Sequence, residues 1–329
     1  MPVISICLSP GFQRSVGIGT LIPGEVNRME SVFVDVSGKG INVCRVLQRL
    51  GIEALCIAQG GSNADELIAL ARHEGLNLRL IPSSGRMRTC TSIIETALVD
   101  GCRVTELVEP APAVDDACIS AMTATLQALL PSATALVIAG SMAAGFPVDY
   151  QTRLAHLARE SGVPVFLDLH GATLREAINA QPAVVKINLA EFVSTFLAGE
   201  FSGGEHSGEL AETVVGPALM NAVAEVSRKH ATSFVLTRGA NSILLVRDGE
   251  LRVVPVQPLS AGEIVNPIGS GDAFLAGMLA QLLAAGSIHP ADVSLDALEK
   301  AIDLATACAQ SNARTARPGF LEESFTRRP

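Results

Sequence analysis

Apolar residues follow two alternating rhythms along this chain. Short, nearly continuous apolar runs read as strands at Val3–Leu8, Ala54–Ala58, Ala135–Gly140, Pro164–Leu169, Val184–Asn188 and Ser233–Leu236. Helical patterns lie between or after them at Gly40–Leu50, Asp65–Glu74, Asp115–Leu130, Val148–Glu160, Glu209–His230, Asp272–Ala285 and Leu295–Asn312. A strand that is apolar on both sides suits a parallel sheet covered on both faces. Alternating units of this length predict an α/β fold, a doubly wound and mostly parallel sheet with helices on both faces. In such sheets ligands sit beyond the carboxyl ends of the strands, where all the motifs below fall.

Residues 13–36 and 86–108 break the rhythm. Short strands at Ser31–Val36, Thr91–Ala97 and Arg103–Val108 have no helices between them, so antiparallel pairing into a small separate sheet is expected. That sheet would fold over the cleft as a β lid, leaving 1–12, 37–85 and 109–329 as the α/β core. Its outer face is a natural contact for a second copy of the chain. Ile243–Arg247 and Leu251–Val256, on either side of Asp248-Gly249, read as a hairpin with a two-residue turn. Gly199–Gly208 is a polar, glycine-rich loop.

With 329 residues, 48% of them hydrophobic, the chain has enough apolar surface for a sizeable core. The net charge of −9 and the absence of a basic stripe argue against nucleic acid as a partner. The lack of tryptophan and the single tyrosine leave no stacking platform for single strands. Seven scattered cysteines without a C-x-x-C pair suit reduced thiols in a cytoplasm. Met1–Ser9 carries no basic leader, and no stretch reaches the roughly 18 apolar residues of a membrane span. A soluble cytoplasmic protein is therefore expected.

The densest chemistry lies in Val265-Asn-Pro-Ile-Gly-Ser-Gly-Asp272, ahead of a long apolar helix. Gly269, Ser270 and Gly271 offer backbone N–H groups at a helix start, which suits an anion. Asp272 would repel that anion, which makes sense if the carboxylate takes a proton from an attacking hydroxyl. An ordinary loop and cap remains the competing account. Ser37-Gly38-Lys39-Gly40-Ile41-Asn42 combines glycine backbone, a cation and an amide at another helix start; it suits phosphate or sugar hydroxyls, or is a surface loop. Arg88 is a candidate phosphate fork or a solvated edge charge, and Ser141, just after a buried strand, a candidate donor or an ordinary strand-end serine. Asn188 and Glu191, three apart after Lys186, suit Mg²⁺ held through water, or a helix cap. Thr237 and Gly239 follow another buried strand and suit nucleotide phosphate or ribose.

Taken in order, these motifs resemble the ribokinase-like sugar kinases of the phosphofructokinase-B type, and within them tagatose-6-phosphate kinases and 1-phosphofructokinases. The terminal signature falls on Pro267–Asp272 and the sugar motif on Ser37–Asn42. Further family motifs fall on Thr105–Pro112, Gly140–Gly145 and Lys186–Glu191, so matches run over about residues 5 to 320. The resemblance implies ATP- and Mg²⁺-dependent phosphorylation of a phosphosugar hydroxyl, with Asp272 as base and the amides of Gly269, Ser270 and Gly271 as anion hole. Gln13, Gly38, Lys39, Asn42, Arg88 and Ser141 would hold the sugar. Lys186, Asn188, Glu191, Thr237, Gly239 and Asn312 would serve the nucleotide and its Mg²⁺, and a homodimer through the lid is implied. Gln13 stands where the family carries an aspartate, Ser37 replaces a glycine, and Ala143-Ala144 replaces two prolines. A kinase of an unphosphorylated sugar or nucleoside, or a non-catalytic sugar-phosphate-binding protein, is the alternative. A dinucleotide dehydrogenase is disfavoured because no G-x-G-x-x-G follows the first strand.

Overall fold

The computed structural model describes residues 1–97, 101–197 and 217–326. Nine strands form one sheet: β1 (Val3–Cys7), β4 (Ala54–Gly60), β5 (Leu78–Pro82), β8 (Ala135–Ala139), β9 (Val165–Asp168), β10 (Val184–Asn188), β11 (Ser233–Thr237), β12 (Ile243–Arg247) and β13 (Glu250–Val254). Their spatial order is β13-β12-β11-β10-β9-β8-β1-β4-β5. All neighbours pair parallel from β5 to β11, and the β12–β13 hairpin adds an antiparallel edge. Its turn places Asp248 at φ 51° and Gly249 at φ 84°, the positive values a two-residue hairpin turn requires.

The strand period shows directly in the packing. Val3 and Cys7 of β1 join one buried cluster, while Ile4 and Ile6 join the other. Helices α1 (Lys39–Arg49), α2 (Ala64–His73), α8 (Ser270–Ala284) and α9 (Leu295–Ala313) cover the first face. The second face is covered by α3 (Asp116–Leu129), α4 (Tyr150–Glu160), α5 (Gly171–Ala177), α6 (Leu189–Phe196) and α7 (Pro217–His230). Burial of this kind stabilises by about 25 cal/mol per Å² of apolar surface, enough to make both faces obligatory. Helix α8 is apolar nearly all round and packs most closely against α9 and α1, so it is held between these two helices.

A second sheet, in the order β3-β2-β6-β7, is built from β2 (Gly11–Ile18), β3 (Ser31–Ser37), β6 (Arg88–Glu95) and β7 (Arg103–Val108). Strand β2 was not foreseen, nor were β5 and α5. The lid sheet therefore takes up the chain at Gly11, two residues earlier than expected. The expectation of wholly antiparallel pairing is also corrected: β2 and β6 run parallel, and the outer pairs are antiparallel. Each central strand follows directly on a parallel core strand, β1 and β5, so both leave the core in the same sense. The glycine-rich loop at 199–208 and the expected helical residues 209–216 lie outside the described residues.

Candidate active site

Two cavities open side by side at the carboxyl edge of the large sheet and share the N-terminus of α8. The first encloses about 360 Å³ between the lid residues Gln13, Arg88 and Glu106 and the core residues Gly38, Lys39, Asn42, Asp168, Lys186, Gly269, Gly271 and Asp272. The second encloses about 400 Å³ and is more apolar, lined by Thr237, Gly239, Ala240, Ile243, Val256, Phe274 and other residues including Ser270 and Gly271. Gly271 lines both.

The shape of this junction follows from its glycines. Gly269 caps α8 at φ 86°, a conformation that favours glycine, and a Cβ there would stand 2.6 Å from the Gly319 nitrogen. A Cβ on Gly271 would come within 2.7 Å of the Lys186 ammonium, so the bare backbone is what lets that cation lie beside the helix start. Asn312 is fully buried and braces the loop: its Nδ2 donates to the Ile268 carbonyl oxygen at 2.9 Å and to Ser270 Oγ at 3.2 Å. Ser270 donates its own amide to the Pro267 carbonyl oxygen.

Asp272 is only 5% exposed and accepts a 2.8 Å hydrogen bond from Asn42 Nδ2. Burial pushes its carboxyl up to about 6, and neighbouring Asp168 adds to this; Lys39, the Asn42 hydrogen bond and Lys186 hold it from rising further. Asp168 ends β9 and binds Lys39 Nζ at 3.1 Å and Lys186 Nζ at 2.9 Å. Burial would raise Asp168, but the two ammonium groups outweigh it and hold the carboxyl down at about 2. Lys39 is held above its ordinary value: burial lowers it, while Asp168, Asp272 and Glu191 more than compensate. Asp272 and Asp168 thus stand in opposite states of tuning, one poised near neutrality and one locked in an ion triad.

Several expected residues fall elsewhere. Ser141 is exposed and lines neither cavity, because the chain turns at Gly140, whose φ is 86°. Asn188 and Glu191 also line neither. They form a reciprocal capping box on α6, with Glu191 N–H donating to Asn188 Oδ1 at 2.8 Å and Asn188 N–H donating to Glu191 Oε2 at 3.2 Å. Asn312 works behind the α8 loop, with both ends of its amide spent on backbone and Ser270. Lys186, expected on the nucleotide side, lines the first cavity instead. Arg88 does line that cavity; it donates to the Ser9 carbonyl oxygen at 2.7 Å and the Glu109 carbonyl oxygen at 3.4 Å, and its Nε is buried without a partner. Gln13 is buried and donates to Ser92 Oγ at 2.8 Å.

Sequence reasoning passed over Asp168 and the C-terminal strap that brings Pro318 into the cavity wall, and noted Glu106 only as part of the Thr105–Pro112 motif. Asp168 carried a usable signal, a carboxylate closing the buried run Val165-Phe-Leu, the same strand-end position that singled out Ser141 and Thr237. The strap carried none, since its place depends on tertiary contacts alone.

The sequence profile of the pfkB family carbohydrate kinases matches residues 3–322. A possible 1-phosphofructokinase from Thermotoga maritima superposes with a TM-score of 0.80 at 19% identity, over 98% of this chain and 94% of that one. The tetrameric inhibited form of phosphofructokinase-2 from Escherichia coli gives 0.77 at 20% identity, over 95% and 94%. Ribokinase from Giardia lamblia gives 0.72 at 15% identity, over 97% and 96%. The fold is therefore ribokinase-like, and the chain belongs to the PfkB family of carbohydrate kinases, phosphotransferases with an alcohol group as acceptor.

Proposed function

We propose that the chain transfers the terminal phosphoryl group of ATP to a hydroxyl of a phosphosugar of the tagatose 6-phosphate or fructose 1-phosphate type, giving a sugar bisphosphate and ADP. One observation carries the reading: Asp272 and the bare Gly271 backbone stand where a polar cavity and an apolar cavity meet. The polar side, with Lys39, Lys186 and Arg88, suits an anionic sugar; the apolar side suits a nucleoside.

In this mechanism Asp272 takes the proton from the acceptor hydroxyl as its oxygen bonds to the terminal phosphorus and the bond to the ADP oxygen breaks. A carboxyl near pH 6 is largely ionised at neutrality yet basic enough to accept that proton. The α8 N-terminus and the ammonium groups of Lys39 and Lys186 face the charge that develops on the transferring group. Asn42 keeps the carboxylate aimed, and the lid residues Gln13, Arg88 and Glu106 position the sugar and exclude water.

Mg²⁺, when bound, would neutralise nucleotide phosphate charge. Among the described residues no group of three His, Cys, Asp or Glu side chains is placed to hold an ion. Asn188 and Glu191 are already engaged in their cap, so they would hold the cation only through water, as Mg²⁺ readily accepts. Exposed Val32, Phe33 and Val34 on β3 and Leu107 and Val108 on β7 support a homodimer through the lid. Among the described residues no helix is long and apolar enough to cross a membrane, in keeping with a cytoplasmic enzyme.

A kinase of an unphosphorylated sugar or nucleoside draws support from one fact: Arg88 already gives two N–H groups to backbone carbonyls. Coupled assays of ATP consumption with tagatose 6-phosphate, fructose 1-phosphate, fructose 6-phosphate, free sugars and nucleosides decide between the two. Turnover restricted to free sugars or nucleosides refutes the phosphosugar assignment, and turnover with none of them refutes the enzymatic one.

A further inference from the structure

The hydrogen bond from Asn42 to Asp272 works only one way round. An amide that presents Nδ2 to a carboxylate stabilises the ionised form; turned over, it presents Oδ1 and favours the protonated acid. What fixes the orientation lies on the far side of Asn42. Arg45, one turn along α1 and 8% exposed, donates from Nη1 to Asn42 Oδ1 at 3.0 Å. A guanidinium has no acceptor, so the atom facing it must be the amide oxygen.

Arg45 is itself held rigidly. Its Nε donates to Glu74 Oε2 at 2.9 Å, its Nη2 to the Val36 carbonyl oxygen at 2.5 Å, and its guanidinium carbon lies 4.4 Å from the centre of the Phe320 ring. The strap closes the arrangement. A Cβ on Gly319 would stand 2.7 Å from Asn42 Oδ1, so the backbone there presses on the amide and leaves it no room to swing away. The proposed mechanism assigns Arg45 no role, and Arg45 lines neither cavity.

We propose that Arg45 is a positioning residue for the base: through its donor to Asn42 it sets which amide atom meets Asp272, and so keeps that carboxylate ionised. The inference rests on reading Asp272 as the base. The other groups facing Asp272 are Lys39 from α1, Asp168 from β9 and Lys186 from β10; none of them is altered by a change at 45.

The test is the titration of Asp272 in the full-length protein without substrates, followed by carboxyl ¹³C NMR with the signal assigned through Asp272→Asn. Arg45→Met is combined with Glu74→Gln, so that no buried charge is stranded. Once Asn42 is free to turn, the Asp272 midpoint is expected to rise by about one unit or more, a tenfold change in proton affinity. The acid limb of kcat moves with it, while KM for ATP stays within about twofold. Arg45→Lys keeps the charge but loses the planar fork, and is expected to shift the midpoint the same way by less; it carries the test if the double variant does not fold. An unmoved Asp272 midpoint in whichever variant folds overturns the proposal. Because the titration needs no turnover, failed kinase assays would sink the functional reading and leave this result standing.

Discussion

Helices α6 and α8 both start at the carboxyl edge of the sheet, and each carries an acidic residue at its third position, Glu191 in one and Asp272 in the other. Their neighbours at the cap separate them. Asn188 caps α6 and accepts from the Glu191 amide, while Glu191 reaches back to the Asn188 amide, so the acid is spent on its own helix. Gly269 caps α8 and has no side chain to offer. Asp272 is left to a distant partner, Asn42, inside a buried pocket. The same residue class at the same helical position is thus a structural cap in one place and, in the proposed mechanism, the base in the other. The cap residue decides which.

The sharpest way to break this contrast is to neutralise each acid or its cap in turn. Asp272→Asn is expected to lower kcat by at least about 10²-fold, the usual worth of a general base. The same change should stabilise the fold at neutral pH. Asp272 titrates at about 6 against 3.8 for an unperturbed carboxyl, so the folded chain binds that proton more tightly than the unfolded one does. The resulting stability is complete below about pH 4 and lost as pH rises through 6, a difference on the order of 3 kcal/mol. Urea unfolding of variant and wild type in acid and at neutral pH checks it: equal curves in acid and a more stable variant at neutrality are predicted.

Next in size, Lys39→Met removes the ammonium shared by Asp168 and Asp272, so the acid limb of the kcat profile should move to higher pH by about one unit. A limb that stays near 6 would show that Lys39 does not set the Asp272 carboxyl. Arg88→Ala should raise KM for the phosphosugar by about tenfold, the worth of a charge-assisted hydrogen bond, with KM for ATP unchanged. Equal small effects on both substrates would remove Arg88 from phosphate recognition. Smallest is Asn188→Ala, which should cost about 1 kcal/mol of stability as a lost cap and leave the KM for the sugar unaltered.

Much of this was legible in the chain because it rests on local chemistry. The alternation of buried strands and amphipathic helices foretold the doubly wound core, and glycines beside Ser270 and Asp272 foretold the helix start there. The parts that escaped depend on long-range partners. Strand β2 was missed because Gly11–Ile18 mixes glycine and polar residues among its apolar ones, yet it is buried almost throughout between β3 and β6. Asp168 gains its meaning only when Lys39, far earlier in the sequence, folds onto it. Asn188 and Glu191 were read as both cap and cation site, and local spacing alone could not separate the two; the capping box shows how their polar atoms are engaged. Arg317 pairs with buried Asp35 and stacks on Phe320, 3.8 Å from the ring centre, tying the strap to the lid in a way no spacing rule reveals.

The most direct test of the central claim is a crystal structure with a non-hydrolysable ATP analogue and a phosphosugar bound together. The account predicts the terminal phosphorus at the Gly271 end of α8, with the acceptor hydroxyl within hydrogen-bond reach of Asp272. A terminal phosphorus lodged away from that carboxylate, or a sugar whose hydroxyls all face elsewhere, would contradict it.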